Sequence, residues 1–271
     1  MALASMSEIF ERMARNGQEF WEVVLADDMD ERQVSREASM AKMLTTWQAM
    51  QDAADSYTGR KRSVSGLVGG DGMKMRQYTF RGCAMTGGYV SEVIAEALSM
   101  AESNACMRRI VAAPTAGACG VLPAVLLPLC KYEELTQHQL LEALYVAAGI
   151  GSIIAYKASI AGASGGCQAE IGTASAMAAG ALVALRGGEG EQIGHAVAMA
   201  LKNLMGLVCD PVAGLVEVPC VKRNVIGAVN AVSAADMALA GIESRVCRSS
   251  SAKRRSAALP PRRPANGSSA S

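Results

Sequence analysis

Aromatic side chains are scarce: three Phe, two Trp and six Tyr make up 4% of the 271 residues. No alternation of apolar and polar residues runs for more than a few positions, so the usual supports of a sheet are missing and a helical protein is expected. Histidine is limited to His138 and His195. The first follows a helix cap and reads as a surface residue. The second sits in an amphipathic stretch and reads as packed, so neither offers itself as a catalytic base. There is no G-x-G-x-x-G or P-loop, no C-x2-C pair and no repeat of fixed period. The opening MALASMSEIF lacks the basic and apolar regions of a signal peptide. Eight cysteines without a secretory context are therefore expected to be reduced thiols of a cytoplasmic protein, not a disulfide framework.

The net charge of +1 conceals two unlike parts. Residues 247–271 hold six of the 26 basic side chains and no acid, so the rest carries 20 basic side chains against 25 acidic ones, a charge of −5. An acidic body excludes a strongly cationic nucleic-acid surface. The tail is rich in Arg, Ser and Pro and has no aromatic residue, a composition that cannot offset the entropy of ordering, so it is expected to be disordered.

What is abundant is apolar and small: 51% of the chain is hydrophobic, with 27 Gly and 16 Met. Helical spacing predicts amphipathic helices over 8–25, capped at Ser7, and over 34–56, where Trp47 and Met50 share a stripe with Met40, Met43 and Leu44. The glycine-punctuated segment 58–88 reads as an irregular connection. Helices that are apolar on most faces follow at 89–107, 120–131, 136–158, 170–186, 189–205 and 225–241, with Thr136 as one cap and Gly187-Gly188 as a stop. The expected fold is all-α, with a central buried hairpin. It divides into N-terminal helices and connection (1–84), a helical core (85–246) and the basic tail (247–271). The uncharged run 111–130 has the length of a membrane span, but Pro114, Pro123, Pro128, Gly117 and Gly120 interrupt it, and a buried core helix fits better than a membrane protein.

Three glycine-rich loops carry the candidate chemistry: APTAGACG at 113–120, AGASGGCQ at 161–168, and VCDPVAG at 208–214, which continues to VPCVKRN at 218–224. Glycine permits close backbone approach, and a helix N-terminus offers free N–H groups to an anion. Backbone around Thr115, Gly117, Ser164 and Gly165 is thus a candidate anion site. Lys222 and Arg223 are candidate cationic partners, or equally a solvated helix start. Cys167 and Cys220 stand beside glycine or proline, and Cys209 two residues before Pro211. Thiolates suit soft metals and iron–sulfur clusters, and three of them leave a position open for Lewis-acid chemistry. Their spacing alone favours ordinary buried cysteines.

The segments APTAGACGVLPAVL, GASGGCQAEIGTASAMAAGALV and GLVCDPVAGLVEVPCVKRN resemble the α subunit of the iron–sulfur-dependent L-serine dehydratases, over roughly residues 7–246. The resemblance implies an all-helical domain binding a [4Fe–4S] cluster through three cysteines, at positions matching Cys167, Cys209 and Cys220. It implies elimination of water from L-serine to give pyruvate and ammonia. It also implies a β subunit that completes the site with a Ser-Ser-His-Thr-type motif absent from this chain, and with it the general base. Cys83, Cys106 and Cys130 read as structural thiols, and Cys119 as a small packed residue. Two other readings stay open on the residues alone. One is a pyridoxal-phosphate lyase using Lys157 or Lys202; the other is a non-catalytic membrane or scaffold protein. Beyond Val246 the resemblance gives way to Arg/Ser/Pro-rich sequence, which reads as a shift of reading frame.

Overall fold

The computed structural model describes residues 3–212 and 214–245. The disorder and the frame shift expected of residues 247–271 fall outside them. Among the described residues there are ten α-helices and no strand: α1 (Met6–Asn16), α2 (Phe20–Arg32), α3 (Arg36–Asp55), α4 (Asp71–Phe80), α5 (Gly87–Ala105), α6 (Val121–Tyr132), α7 (Gln137–Lys157), α8 (Gly162–Leu185), α9 (Gly190–Asn203) and α10 (Glu217–Leu239). A single 3-10 turn, Ala116–Ala118, precedes α6. The fold is all-α, as the scarcity of strand formers predicts.

α8 lies deepest, packed along α7, α9 and α10. Its inner residues are almost all small, with Ala174, Ala176, Ala178, Ala179 and Ala181 fully buried. Small side chains let neighbouring helix axes approach closely, which is how a chain poor in aromatics fills its interior. α5 and α6 close one side, and α2 and α3 lie over α7.

Several boundaries depart from the sequence expectation. The expected helix 8–25 is two helices. Gly17 ends α1 in the left-handed region, at φ 66°, and Glu19 begins α2 with a reciprocal capping box to Glu22. The cap of α1 is Ser5, whose hydroxyl accepts the Glu8 N–H, and not Ser7. Segment 58–88 contains α4. Its first turn is held by the buried carboxylate of Glu102, which accepts N–H bonds from Asp71 at 2.7 Å and Gly72 at 3.3 Å, and also takes the Tyr57 hydroxyl. Thr136 caps α7, and Gly187 follows α8, both as expected. Trp47 and Met50 are buried, in line with a core stripe on α3.

α7 is long and apolar enough, by length and composition, to cross a membrane, and 61% of its most apolar window is buried against other helices. Packing against α8, α2 and α3 accounts for that burial without a bilayer. At the α2–α7 crossing, a β-carbon added to Gly149 would lie 2.4 Å from Val24 Cγ2. Valine is β-branched and has no free rotamer to retreat into. Gly149→Ala therefore gains about 1 kcal/mol of helix propensity and loses about 1–3 kcal/mol to overpacking. The expected net result is a lower urea midpoint, and Val24→Ala in the same chain should cost less than the sum of the two single changes. Strict additivity would show that the crossing is not tight.

Candidate active site

A cavity of about 380 Å³ opens where α5, the 113–120 loop, the start of α8, the 205–216 loop and the start of α10 meet. Each glycine-rich loop of the sequence contributes to its wall. Cys167, Cys209 and Cys220 all line it. Cys167 is buried, Cys220 half-buried and Cys209 exposed. α8 turns sharply just before Cys167, at Gly166 with φ 72° and ψ −175°, a conformation closed to residues with a β-carbon. The 205–216 loop hangs from this kink: Gln168 N–H donates to the Leu207 carbonyl at 2.8 Å, and Gly206 N–H donates to Gln168 Oε1 at 2.8 Å. α10 begins at Glu217, ahead of the expected 225, because Pro219 sits in its first turn, where a missing N–H costs nothing. Cys220 is therefore a first-turn helix residue and not a loop residue.

Burial pushes the Cys220 thiol up to about 12; nearby Cys167, Glu170 and Cys209 push the same way, and Arg223 opposes them. The three sulfurs thus share one electrostatic neighbourhood. Arg223 Nη1 donates to Cys167 Sγ at 2.8 Å. Among the described residues, no three His, Cys, Asp or Glu side chains are gathered tightly enough to hold a single metal ion.

The remaining expected site residues separate into two groups. Gly117 lines the cavity, and the Thr115 hydroxyl donates to Glu170, another lining residue. Ser164 is exposed, shares a hydrogen bond with Ser159 and donates to the Ala161 carbonyl; it and Gly165 stand in the short turn before the Gly166 kink. Lys222 pairs with Asp71 at the start of α4 and does not line the cavity. His138 is exposed beside Glu142, and His195 Nδ1 meets Ser244 Oγ at 3.2 Å; neither lines the cavity. Lys157 and Lys202 are exposed near the ends of α7 and α9, also away from it, so the pyridoxal-phosphate reading gains no support. Cys119 is buried and donates to the Met100 carbonyl.

Among the wall residues that were not singled out by sequence are Glu170 and Asn224. Glu170 stands one helical turn after Cys167, and Asn224 one turn after Cys220. The i, i+3 and i, i+4 spacings are the signal that was available, once the cysteines are placed at helix starts. Asn224 is fully buried. Its Oδ1 accepts the Gly120 N–H at 2.9 Å, and its Nδ2 donates to the Gly117 carbonyl at 2.7 Å and the Cys220 carbonyl at 2.8 Å. It ties two walls of the cavity together.

Fold and cavity together define an all-α protein with a thiol-lined site assembled from helix starts and glycine loops. The pattern of the family described as serine dehydratase alpha chain matches residues 15–253. That match runs a few residues past Val246, where the quoted resemblance ends. The chain is 44% identical over 225 residues, 83% of its length and 75% of the relative's, to the probable L-serine dehydratase, alpha chain, of Bacillus subtilis (strain 168). It is 37% identical over 245 residues, 90% of its length and 84% of the relative's, to the L-serine dehydratase, alpha chain, of Peptoniphilus asaccharolyticus. It is also 49% identical over 153 residues to L-serine dehydratase 2 of Escherichia coli (strain K12), covering 34% of that longer protein. The chain belongs to the serine dehydratase alpha chain family.

Proposed function

We propose that the chain is the α subunit of an iron–sulfur L-serine dehydratase, a lyase that converts L-serine to pyruvate and ammonia. Water leaves first to give aminoacrylate, whose imine tautomer takes up water to release ammonia. The observation that carries this reading is the convergence of Cys167, Cys209 and Cys220 on one cavity. Soft thiol donors on separate elements suit a multi-iron cluster, whose corners are spread more widely than the ligands of one ion. In this reading the three thiolates hold a [4Fe–4S] cluster. When bound, it supplies a Lewis-acid iron for the departing hydroxyl, otherwise a poor leaving group.

The chain's own groups do the rest. Arg223 orients the Cys167 sulfur through a charge-assisted hydrogen bond. Asn224 fixes the 113–120 loop, and backbone N–H groups around Thr115 and Gly117 receive the substrate carboxylate, while those of Ser164 and Gly165 donate to the Ala161 carbonyl and hold the turn before the kink. Lys222 acts at one remove, bracing α10 against α4 through Asp71. The general base is assigned to a β subunit, as the family resemblance implies. Residues 1–84 then form a supporting shell around the catalytic core 85–246, and the complex is placed in the cytoplasm.

Anaerobic co-expression with a β chain, followed by a pyruvate assay on L-serine and by iron and sulfide analysis, tests this reading. Pyruvate release by a complex that carries iron and sulfide is the expected outcome. A metal-free protein with a borohydride-trapped lysine would overturn it.

A further inference from the structure

The cavity holds a carboxylate that neither the thiols nor the anion loops account for. Glu170 lies on α8, one turn beyond Cys167, and the Thr115 hydroxyl donates to its Oε1. Two glycines shape the space around it. A β-carbon at Gly117 would lie 2.6 and 2.7 Å from the two carboxylate oxygens, and one at Gly162 would lie 2.8 Å from Oε2. The carboxylate thus sits in a slot that exists because both positions lack a side chain.

Among the described residues no cation pairs with Glu170. Arg223 is engaged by Cys167 and Lys222 by Asp71. A carboxylate has roughly four acceptor positions, and Thr115 fills one of them. Glu217, the other acid of the lining, is held by a 2.6 Å bond from Ser65 and has no comparable glycine slot. A half-buried, position-locked anion with unused acceptor capacity is a receptor for a small cation with several N–H donors.

We propose that Glu170 binds the α-ammonium of the amino-acid substrate, with Thr115 as its positioning residue. The proposal rests on the reading of this cavity as the L-serine site. It gives the substrate three unlike contacts: backbone N–H groups of the 113–120 loop for the carboxylate, Glu170 beside them for the ammonium, and the thiol wall toward the hydroxyl. Three unlike contacts around one carbon distinguish L-serine from its mirror image.

The test uses the complex with the β chain, prepared anaerobically. Glu170→Gln keeps the shape and removes the charge. KM for L-serine should rise about 10- to 100-fold, and inhibition by L-alanine should weaken by the same factor. Inhibition by 3-hydroxypropionate, which has the carboxylate and hydroxyl but no ammonium, should stay unchanged, as should iron and sulfide content. Thr115→Val should show the same selectivity on a smaller scale, with Thr115→Ser restoring it; this pair carries the test if Glu170→Gln does not accumulate folded. A fall in kcat at constant KM would make Glu170 a proton-transfer group and overturn the assignment. So would equal weakening of amine-bearing and amine-free ligands. If the wild-type complex does not turn over serine, the proposed function fails separately. Calorimetry of L-alanine against L-lactate on wild type and Glu170→Gln then decides. Amine-specific binding lost in the variant sustains the assignment, and equal or absent binding overturns it.

Discussion

Cys167→Ala is expected to remove both iron–sulfur content and serine turnover. Of the three thiols, Cys167 is the most rigidly placed: it is 2% exposed, follows the Gly166 kink and accepts a bond from Arg223. Cys209, by contrast, is exposed on a loop. If the cluster supplies several kcal/mol of stabilisation to the departing hydroxyl, its loss costs at least about a thousandfold in rate. Removing the sulfur also strands the Arg223 guanidinium in a half-buried position, so the urea midpoint should fall slightly as well. Cys209→Ala should lose iron without that fall, because nothing buried depends on it. Cys130→Ala is the control: its thiol donates to the carbonyl of Leu126 in its own helix, and iron content should not change. Iron retained at the wild-type level in Cys167→Ala, with turnover within about tenfold of wild type, would sink the ligand assignment.

What the sequence revealed and what it hid follow one physical division. Features set by local chemistry were readable. The cap at Thr136, the stop at Gly187 and the buried stripe with Trp47 and Met50 depend on residues within a turn or two of each other. The break at Gly17 was hidden because Ile9, Phe10, Met13, Phe20, Val23 and Val24 keep a helical period straight through it. A single glycine costs a helix only about 1 kcal/mol, too little to interrupt the pattern. α4 was hidden for a different reason. Its first turn is completed by Glu102, some thirty positions away in sequence, and no local window contains that partner. The same holds in the cavity. The cysteines were prominent because they stand within two residues of glycine or proline. Glu170 and Asn224 look like ordinary helix residues until the fold aims them at Thr115 and Gly120.

Asn224→Ala should be among the most destabilising single changes outside the apolar core. The side chain is fully buried, and it is the partner of the Gly120 N–H and of the Gly117 carbonyl. Its third bond, to the Cys220 carbonyl, lies within α10, where the helix ladder supplies another donor. Truncation therefore strands the buried Gly120 N–H at about 1–3 kcal/mol and the half-buried Gly117 carbonyl at less, a loss of about 2–4 kcal/mol with the cavity term included. Asn224→Asp makes the argument sharper. Aspartate still accepts from Gly120, but it has no donor for the two carbonyls and brings a negative charge against them. It should be at least as damaging as alanine although it is nearly isosteric, which a purely steric role would not produce. The effect should reach the chemistry as well. The loop that Asn224 anchors carries Thr115, which positions Glu170, so a surviving Asn224→Ala complex should show a raised KM for L-serine. Urea midpoints and KM for the two variants check both parts. A variant within about 0.5 kcal/mol of wild type would mean that the 113–120 loop is held in place by its packing alone.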